Sequence, residues 1–220
     1  MPLKIALTKG RIEKQVIGLL ECAGIDCTML KNKQRKLIIN SADGEYCFIL
    51  AKGPDVTTYL NTGTVDIGIV GSDILTEHNN EQCELLDLQS GKCQFVLAST
   101  ADFDFNRPGR KVIGTKYTLI TQRYFESLGQ DVEIVKIEGS VELAPLIGLA
   151  DAIVDITETG TTLRENNLVI YDYLDQVSTR LVANRMSLKQ HTAAIFEFTD
   201  SLQQAIMTKK NVQKQMEESK

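Results

Sequence analysis

Short apolar, β-branched runs alternate along this chain with segments whose apolar residues recur every three or four positions. "LKIALT" (3 to 8) reads as a strand, and Ile12, Val16, Leu19, Leu20 and Ala23 then fall at helical spacing, with Gly24 as a stop. A strand, a short "TKGR" loop and a helix follow. "KLIIN" and "YCFILA" flank "SADGE", where Asp43-Gly44 marks a hairpin turn. "DVTTYLNTG" predicts a short helix closed by Gly63, and "VDIGIVG" (65 to 71) a strand ending at Ser72, which is placed to cap the next helix.

The same alternation continues. "CQFVLAS", "KVIGT", "VEIVKI", "DAIVDI" and "LVIYDY" are strand-like, and a helix runs from Thr118 to about Leu128, closed by Gly129. "TRLVAN" offers one more strand, and residues 188 to 216 a helix with Ala194, Ile195, Phe198, Leu202 and Ile206 on one face. Its tail, "KKNVQKQMEESK", is highly charged and is expected to fray. This order predicts an α/β protein with a largely parallel sheet and helices on its faces. Two lobes fit it best, residues 1–89 with 179–220 forming the first and 90–178 the second. They would be joined by short crossing segments, with a ligand cleft between them.

Composition narrows the classes. With 43% hydrophobic and 24% charged residues and only 4 prolines, this is an ordinary globular chain. Lys4 and Lys9 enclose too short a run for a signal peptide, and no later stretch reaches the roughly 18 apolar residues of a membrane span. A cytoplasmic location without membrane contact is expected. Five cysteines without C-x-x-C spacing, and only His78 and His191 to join them, point to reduced thiols and bystander histidines rather than zinc. The net charge of −5 argues against nucleic acid, so cations matter only where they cluster.

One stretch carries most of the chemistry. "DITETGTTL" (155 to 163) follows a buried-looking strand with two acids, a glycine and four threonines. Open α/β sheets place ligands at the carboxyl ends of their strands. A glycine and small hydroxyls there let backbone N–H groups and Thr side chains converge on a phosphate, aided by a helix starting near Thr161. Asp155 and Glu158 repel a phosphate unless they bind something else, and vicinal ribose hydroxyls suit them. Together they describe a ribose-5-phosphate site. A plain strand-to-helix turn, with Asp155 and Thr159 satisfying backbone donors, is the alternative. "TKGR" (8 to 11) adds Lys9 and Arg11 around Gly10, and "KNKQRK" (31 to 36) holds four cations, unless it is simply a solvated loop. "EGSVELAP" (138 to 145) offers Gly139 and Ser140 as a second anion-binding turn or as a mere helix cap. No nucleophile-elbow, P-loop or dinucleotide fingerprint occurs.

"GSVELAPLIGLADAIVDITETGTTLRENNL" (139 to 168), with "ALTKGRI", "VDIGIVGSDIL" and "TKYTLITQRYFESLG", closely resembles the ATP phosphoribosyltransferase family, over nearly the whole chain. The resemblance implies two periplasmic-binding-protein-like lobes. It further implies transfer of the phosphoribosyl group of phosphoribosyl pyrophosphate (PRPP) to N1 of ATP, releasing pyrophosphate, with Mg2+ carried by PRPP. This is the first step of histidine biosynthesis. Carried over, Thr159, Gly160, Thr161 and Thr162 hold the 5-phosphate, and Asp155 and Glu158 the ribose. The chain looks like the short form. That form works in a hetero-octamer with a regulatory subunit resembling histidyl-tRNA synthetase, and a homodimer of this chain is expected within it.

Three positions depart from the family pattern, which often has arginine at Lys52, proline at Thr57 and lysine at Ser72. Lys52 keeps the charge but not the two-pronged fork of arginine. Arg11 and Arg35 are the expected catalytic cations at the leaving pyrophosphate, assisted by Lys9, Lys52, Gly10, Gly139 and Ser140 around ATP and pyrophosphate. Two other readings stay open: a two-lobed effector-binding module, and a phosphoribosyltransferase that accepts a free base.

Overall fold

The structure is a computed structural model and describes residues 1–78 and 82–218. In chain order its elements are β1 (Leu3–Thr8), α1 (Arg11–Cys22), α2 (Thr28–Lys31), β2 (Ile38–Asn40), β3 (Tyr46–Ala51), α3 (Gly53–Asn61), β4 (Ile67–Gly71), α4 (Ser72–Glu77) and β5 (Cys83–Asp87). There follow β6 (Cys93–Ser99), β7 (Lys111–Thr115), α5 (Thr118–Ser127), β8 (Val132–Lys136), α6 (Leu143–Leu146), β9 (Ala152–Thr157) and α7 (Thr161–Glu165). The last are β10 (Val169–Val177), β11 (Thr179–Ala183), α8 (Arg185–Gln190) and α9 (Thr192–Glu218).

These form two compact units. One takes in the chain through Leu75, the segment ending at Gly91 and the chain from Ser178 onward; the other is Thr76–His78 with Lys92–Val177. Residues 90, 91 and 178 therefore belong with the first unit rather than the second. Backbone and side-chain bonds hold them there: Thr179 N–H donates to Ser90 O, and the Ser178 hydroxyl donates to Asp87 Oδ1. Thr76–His78 groups with the second unit because the Glu77 carboxylate caps α5, accepting from the N–H groups of Leu119 and Ile120 and the Thr118 hydroxyl.

The sheets are mixed, not largely parallel. The first unit orders its strands β2-β3-β1-β4-β11-β5 and the second β10-β6-β9-β7-β8. Among the described residues only β1 with β3 and β4, and β7 with β8 and β9, pair in parallel. β2 runs antiparallel to β3 because the turn containing Gly44 joins them as a hairpin. β6 and β11 each open a return of the chain into a unit, so no βαβ crossover sets them parallel to their neighbours.

Both faces of each sheet are covered. In the first unit Leu20 of α1 and Phe198 and Leu202 of α9 pack on one face, and Val56 and Leu60 of α3 on the other. In the second, Phe125 of α5 lies on one side and Ala144 and Leu163, from α6 and α7, on the other. The C-terminal helical stretch breaks at His191, ahead of which Asn184 caps α8 by accepting from the Met186 and Ser187 N–H groups. The α9 helix continues through the charged tail to Glu218, and the final two residues lie outside the described chain. Three of the five free cysteines are buried, and burial followed by the Glu21 charge pushes the Cys27 thiol up to about 11, so it stays protonated.

Gly68 in β4 marks where α3 comes closest to the sheet. A Cβ there would lie 2.5 Å from Leu60 Cδ1 and 2.9 Å from Val56 Cγ1. Gly68→Ala is expected to destabilise the protein by about 1–3 kcal/mol through overpacking. Urea unfolding followed by circular dichroism checks this; an unchanged midpoint would show that α3 can retreat.

Candidate active site

In the first unit the cationic loops follow parallel strands. Thr8 at the end of β1 is in register with Ala51 at the end of β3, and Lys9 N–H donates to Ala51 O at 2.9 Å. Lys9 and Lys52 therefore leave adjacent strand ends side by side, both exposed. Gly10 is the N-cap of α1 with φ 99° and ψ −125°, a backbone conformation that favours glycine. Arg11 follows as the exposed first residue of α1. Ser72 does not act as the expected helix cap: its hydroxyl accepts from Ser178 N–H.

The 31–36 segment is not a uniform solvated loop. Its first residue closes α2, and Lys36 N–H then donates to Lys33 O at 2.9 Å in a turn that carries Gln34 at φ 53° and leaves Arg35 exposed. Lys33 folds inward to pair with Glu13, whose other carboxylate oxygen accepts from Gly10 N–H at 3.2 Å. Burial, and next the neighbouring Lys9 charge, lower the pKa of the Lys33 ammonium. Lys9 is thus close enough to be felt by Lys33. Lys33 was one of four cations in a run, and Glu13 did not stand out in the sequence, although a Gly-x-x-Glu at a helix start is one half of a capping box.

In the second unit the acid and threonine loop closes β9. Val154 and Ile156 face the α5 side of the sheet, Ile153 the α6 and α7 side, and the alternation puts Asp155 and Thr157 on that second face. Asp155 Oδ1 accepts from Ile156 N–H at 2.8 Å, while Glu158 and Thr159 are exposed. Gly160 is left-handed (φ 70°), and its N–H donates to Thr157 Oγ1 at 2.9 Å. The hydroxyls of Thr159 and Thr161 lie 2.9 Å apart. Asp155 and Thr159 thus satisfy backbone donors, the N–H groups of Ile156 and Thr161, and Thr157 is a third side chain that does so in this turn.

The helix after the loop, α7, starts at Thr161 as expected and is five residues long. Gly139 and Ser140 do not open a helix: α6 has four residues and starts only at Leu143. Helices this short add little dipole, so any anion held here depends on hydroxyls, backbone N–H groups and cations. Gly139 and Ser140 are exposed. Nearby, the Lys136 hydrogen bond holds the Glu138 carboxyl below its ordinary range, with the Lys116 charge adding to this.

Arg164 is the residue the sequence reading missed. Its guanidinium donates to Thr159 O at 2.9 Å and to Thr161 Oγ1 at 3.1 Å, bracing the loop from the last turn of α7. Its position three residues beyond Thr161 on a short helix was the available clue. The loop and Arg164 also line a cavity of about 470 Å³ with Gln94 and Tyr173. Among the described residues no group of three or more His, Cys, Asp or Glu side chains gathers to hold a metal. No described helix is long and apolar enough to cross a membrane.

Two α/β units with mixed sheets, through which the chain passes and returns, define the periplasmic-binding-protein-like class of fold. The periplasmic aliphatic sulphonate binding protein SsuA from Escherichia coli shares it at TM-score 0.61 and 14% identity, over 97% of this chain and 75% of that one. The family model described as "HisG: ATP phosphoribosyltransferase" matches residues 52–204. An ATP phosphoribosyltransferase of Lactiplantibacillus plantarum is 72% identical over 206 residues, 94% of each chain. A chain of the ATP phosphoribosyl transferase (HisG:HisZ) complex from Thermotoga maritima matches at TM-score 0.79 and 36% identity, over 94% of this chain and 99% of that one. This chain belongs to the ATP phosphoribosyltransferase family and is an enzyme of the glycosyltransferase class.

Proposed function

We propose that this enzyme transfers the phosphoribosyl group of PRPP to N1 of ATP, giving N1-(5-phosphoribosyl)-ATP and pyrophosphate, as the first step of L-histidine biosynthesis in the cytoplasm. The observation that carries this is the hydroxyl-lined loop after β9, with Asp155 at its base and Glu158 exposed beside it. Thr159, Gly160, Thr161 and Thr162 hold the 5-phosphate, and the two carboxylates take the ribose hydroxyls.

The C1–oxygen bond to pyrophosphate breaks as the C1–N1 bond forms from the adenine lone pair, so no general base is needed. Adenine is a weak nucleophile, and departure of pyrophosphate runs ahead of attack. The catalytic task is then to neutralise charge growing on the leaving group. Arg11 and Arg35 take it, assisted by Lys9 and Lys52, while Gly10, Gly139 and Ser140 contact the nucleotide or pyrophosphate. No described cluster of this chain's carboxylates would hold magnesium, so the ion would be carried by PRPP and would add to the charge neutralisation that the cations supply. The likeness to a chain of a HisG:HisZ complex supports a hetero-oligomer with a regulatory subunit; a hetero-octamer with a homodimer of this chain inside it is the assembly we propose.

The attachment point is tested by NMR with ATP labelled at N1 and PRPP labelled at C1. A one-bond coupling between the labels is expected; product without it would move the attack to another nitrogen. Arg164→Met is expected to raise KM for PRPP by about tenfold or less, because its loop bonds are solvent-exposed and weakened accordingly. Steady-state kinetics with PRPP varied checks this, and an unchanged KM would make Arg164 incidental to the loop.

A further inference from the structure

Glu13 is a buried acid that the reaction does not itself require. Only 6% exposed, it sits in the first turn of α1 with both carboxylate oxygens engaged, one by Gly10 N–H and the other by the Lys33 ammonium. Burying a carboxylate is costly unless a cation meets it, and a buried pair adds little net stability for that cost; its best-attested use is to fix one segment's register against another. The segment fixed here is the turn that carries Arg35.

That turn has two anchors. Lys33 is tied to Glu13, and Leu37 O accepts from Leu50 N–H at 2.8 Å, fastening the far end to β3. Arg35 stands midway, two residues from each. Within the turn Lys36 N–H closes on Lys33 O, and Gln34 takes a left-handed backbone that a non-glycine residue adopts at some cost. Through Gly10, the same carboxylate also holds the loop that bears Lys9 and Arg11.

We propose that Glu13 is a positioning residue: through Lys33 it clamps the 33–36 turn to the start of α1 and so sets Arg35 beside the Lys9–Arg11 loop. The inference rests on the proposed function for what Arg35 does once placed.

The rival account makes Glu13 only a cap for α1, and Lys33→Met separates the two, since it removes the clamp and leaves the Gly10 bond intact. Glu13→Gln and Lys33→Met are each expected to lower kcat about tenfold to 100-fold, the scale of a small misplacement of a catalytic group, with PRPP affinity nearly unchanged. In an Arg35→Ala background neither change should lower kcat further. Amide hydrogen exchange should quicken at residues 33–36 more than elsewhere in both variants, and the melting temperature should fall further in Lys33→Met, which leaves the Glu13 carboxylate buried without its cation, than in Glu13→Gln.

A kcat loss that persists at full size without Arg35, or a Lys33→Met protein with parental kcat and exchange, overturns the proposal. Should Glu13→Gln fail to fold, Lys33→Met decides alone. Should the parent protein make no product, the proposed function falls. The clamp is then judged by exchange: parental rates at 33–36 in the variants overturn it, and quickened rates uphold it.

Discussion

Arg35→Ala is expected to lower kcat by about 100-fold or more, the usual scale for removing one preorganised contact to charge that develops in a transition state. The expectation follows from where the residue sits. Arg35 is exposed within a short turn whose ends are tied down at Lys33 and Leu37, so its side chain stands in solvent rather than in the core of the fold. Its loss should therefore leave stability and PRPP binding close to those of the parent. Arg11→Ala should behave alike in kcat. Rapid-quench kinetics together with calorimetric titration of PRPP measure both quantities. A rise in KM at constant kcat would show that these cations bind the substrate without acting on the leaving group.

Glu158→Ala is the second large effect. A carboxylate accepting from a ribose hydroxyl contributes about 1.5–3 kcal/mol. The variant should accordingly lose roughly 10-fold to 100-fold in kcat/KM for PRPP. Circular dichroism of the variant should match that of the parent, since Glu158 is exposed and outside the core of the unit. A PRPP analogue lacking one ribose hydroxyl sharpens the test, since the parent protein should reject it strongly and the variant should discriminate much less. Equal discrimination by both proteins would remove Glu158 from the ribose and leave it as an ordinary surface acid.

Much of this site could be read from local pattern. The strand, loop and helix around Gly10, the hairpin at Gly44, the helix from Thr118 and the loop after β9 each announce themselves within a dozen residues, through periodicity and turn residues. Strand direction could not be read that way. β11 pairs with β4 through Thr179 and Gly71, more than a hundred residues apart, and no local signal encodes that return. β5 was missed for a related reason: "CELLD" is short and only partly buried, an edge strand that owes its place to β11.

The same division holds among side chains. Arg164 lay within reach of a local reading, since it braces residues three and five positions away. The partnership of Glu13 with Lys33 spans twenty residues and depends on how α2 and the following turn come back to α1. A run of four cations looks uniform in sequence. Folding distinguishes them by turning Lys33 inward and Arg35 outward.

Mass spectrometry decides whether this chain joins PRPP to ATP. Excess purified protein is mixed with ATP, PRPP and magnesium, with and without the regulatory subunit, beside Glu158→Ala. A species with the mass of phosphoribosyl-ATP is expected, requiring both substrates and greatly reduced in the variant. Its absence under both conditions would rule out the transfer and leave the loop after β9 as a phosphate cradle in an effector-binding protein.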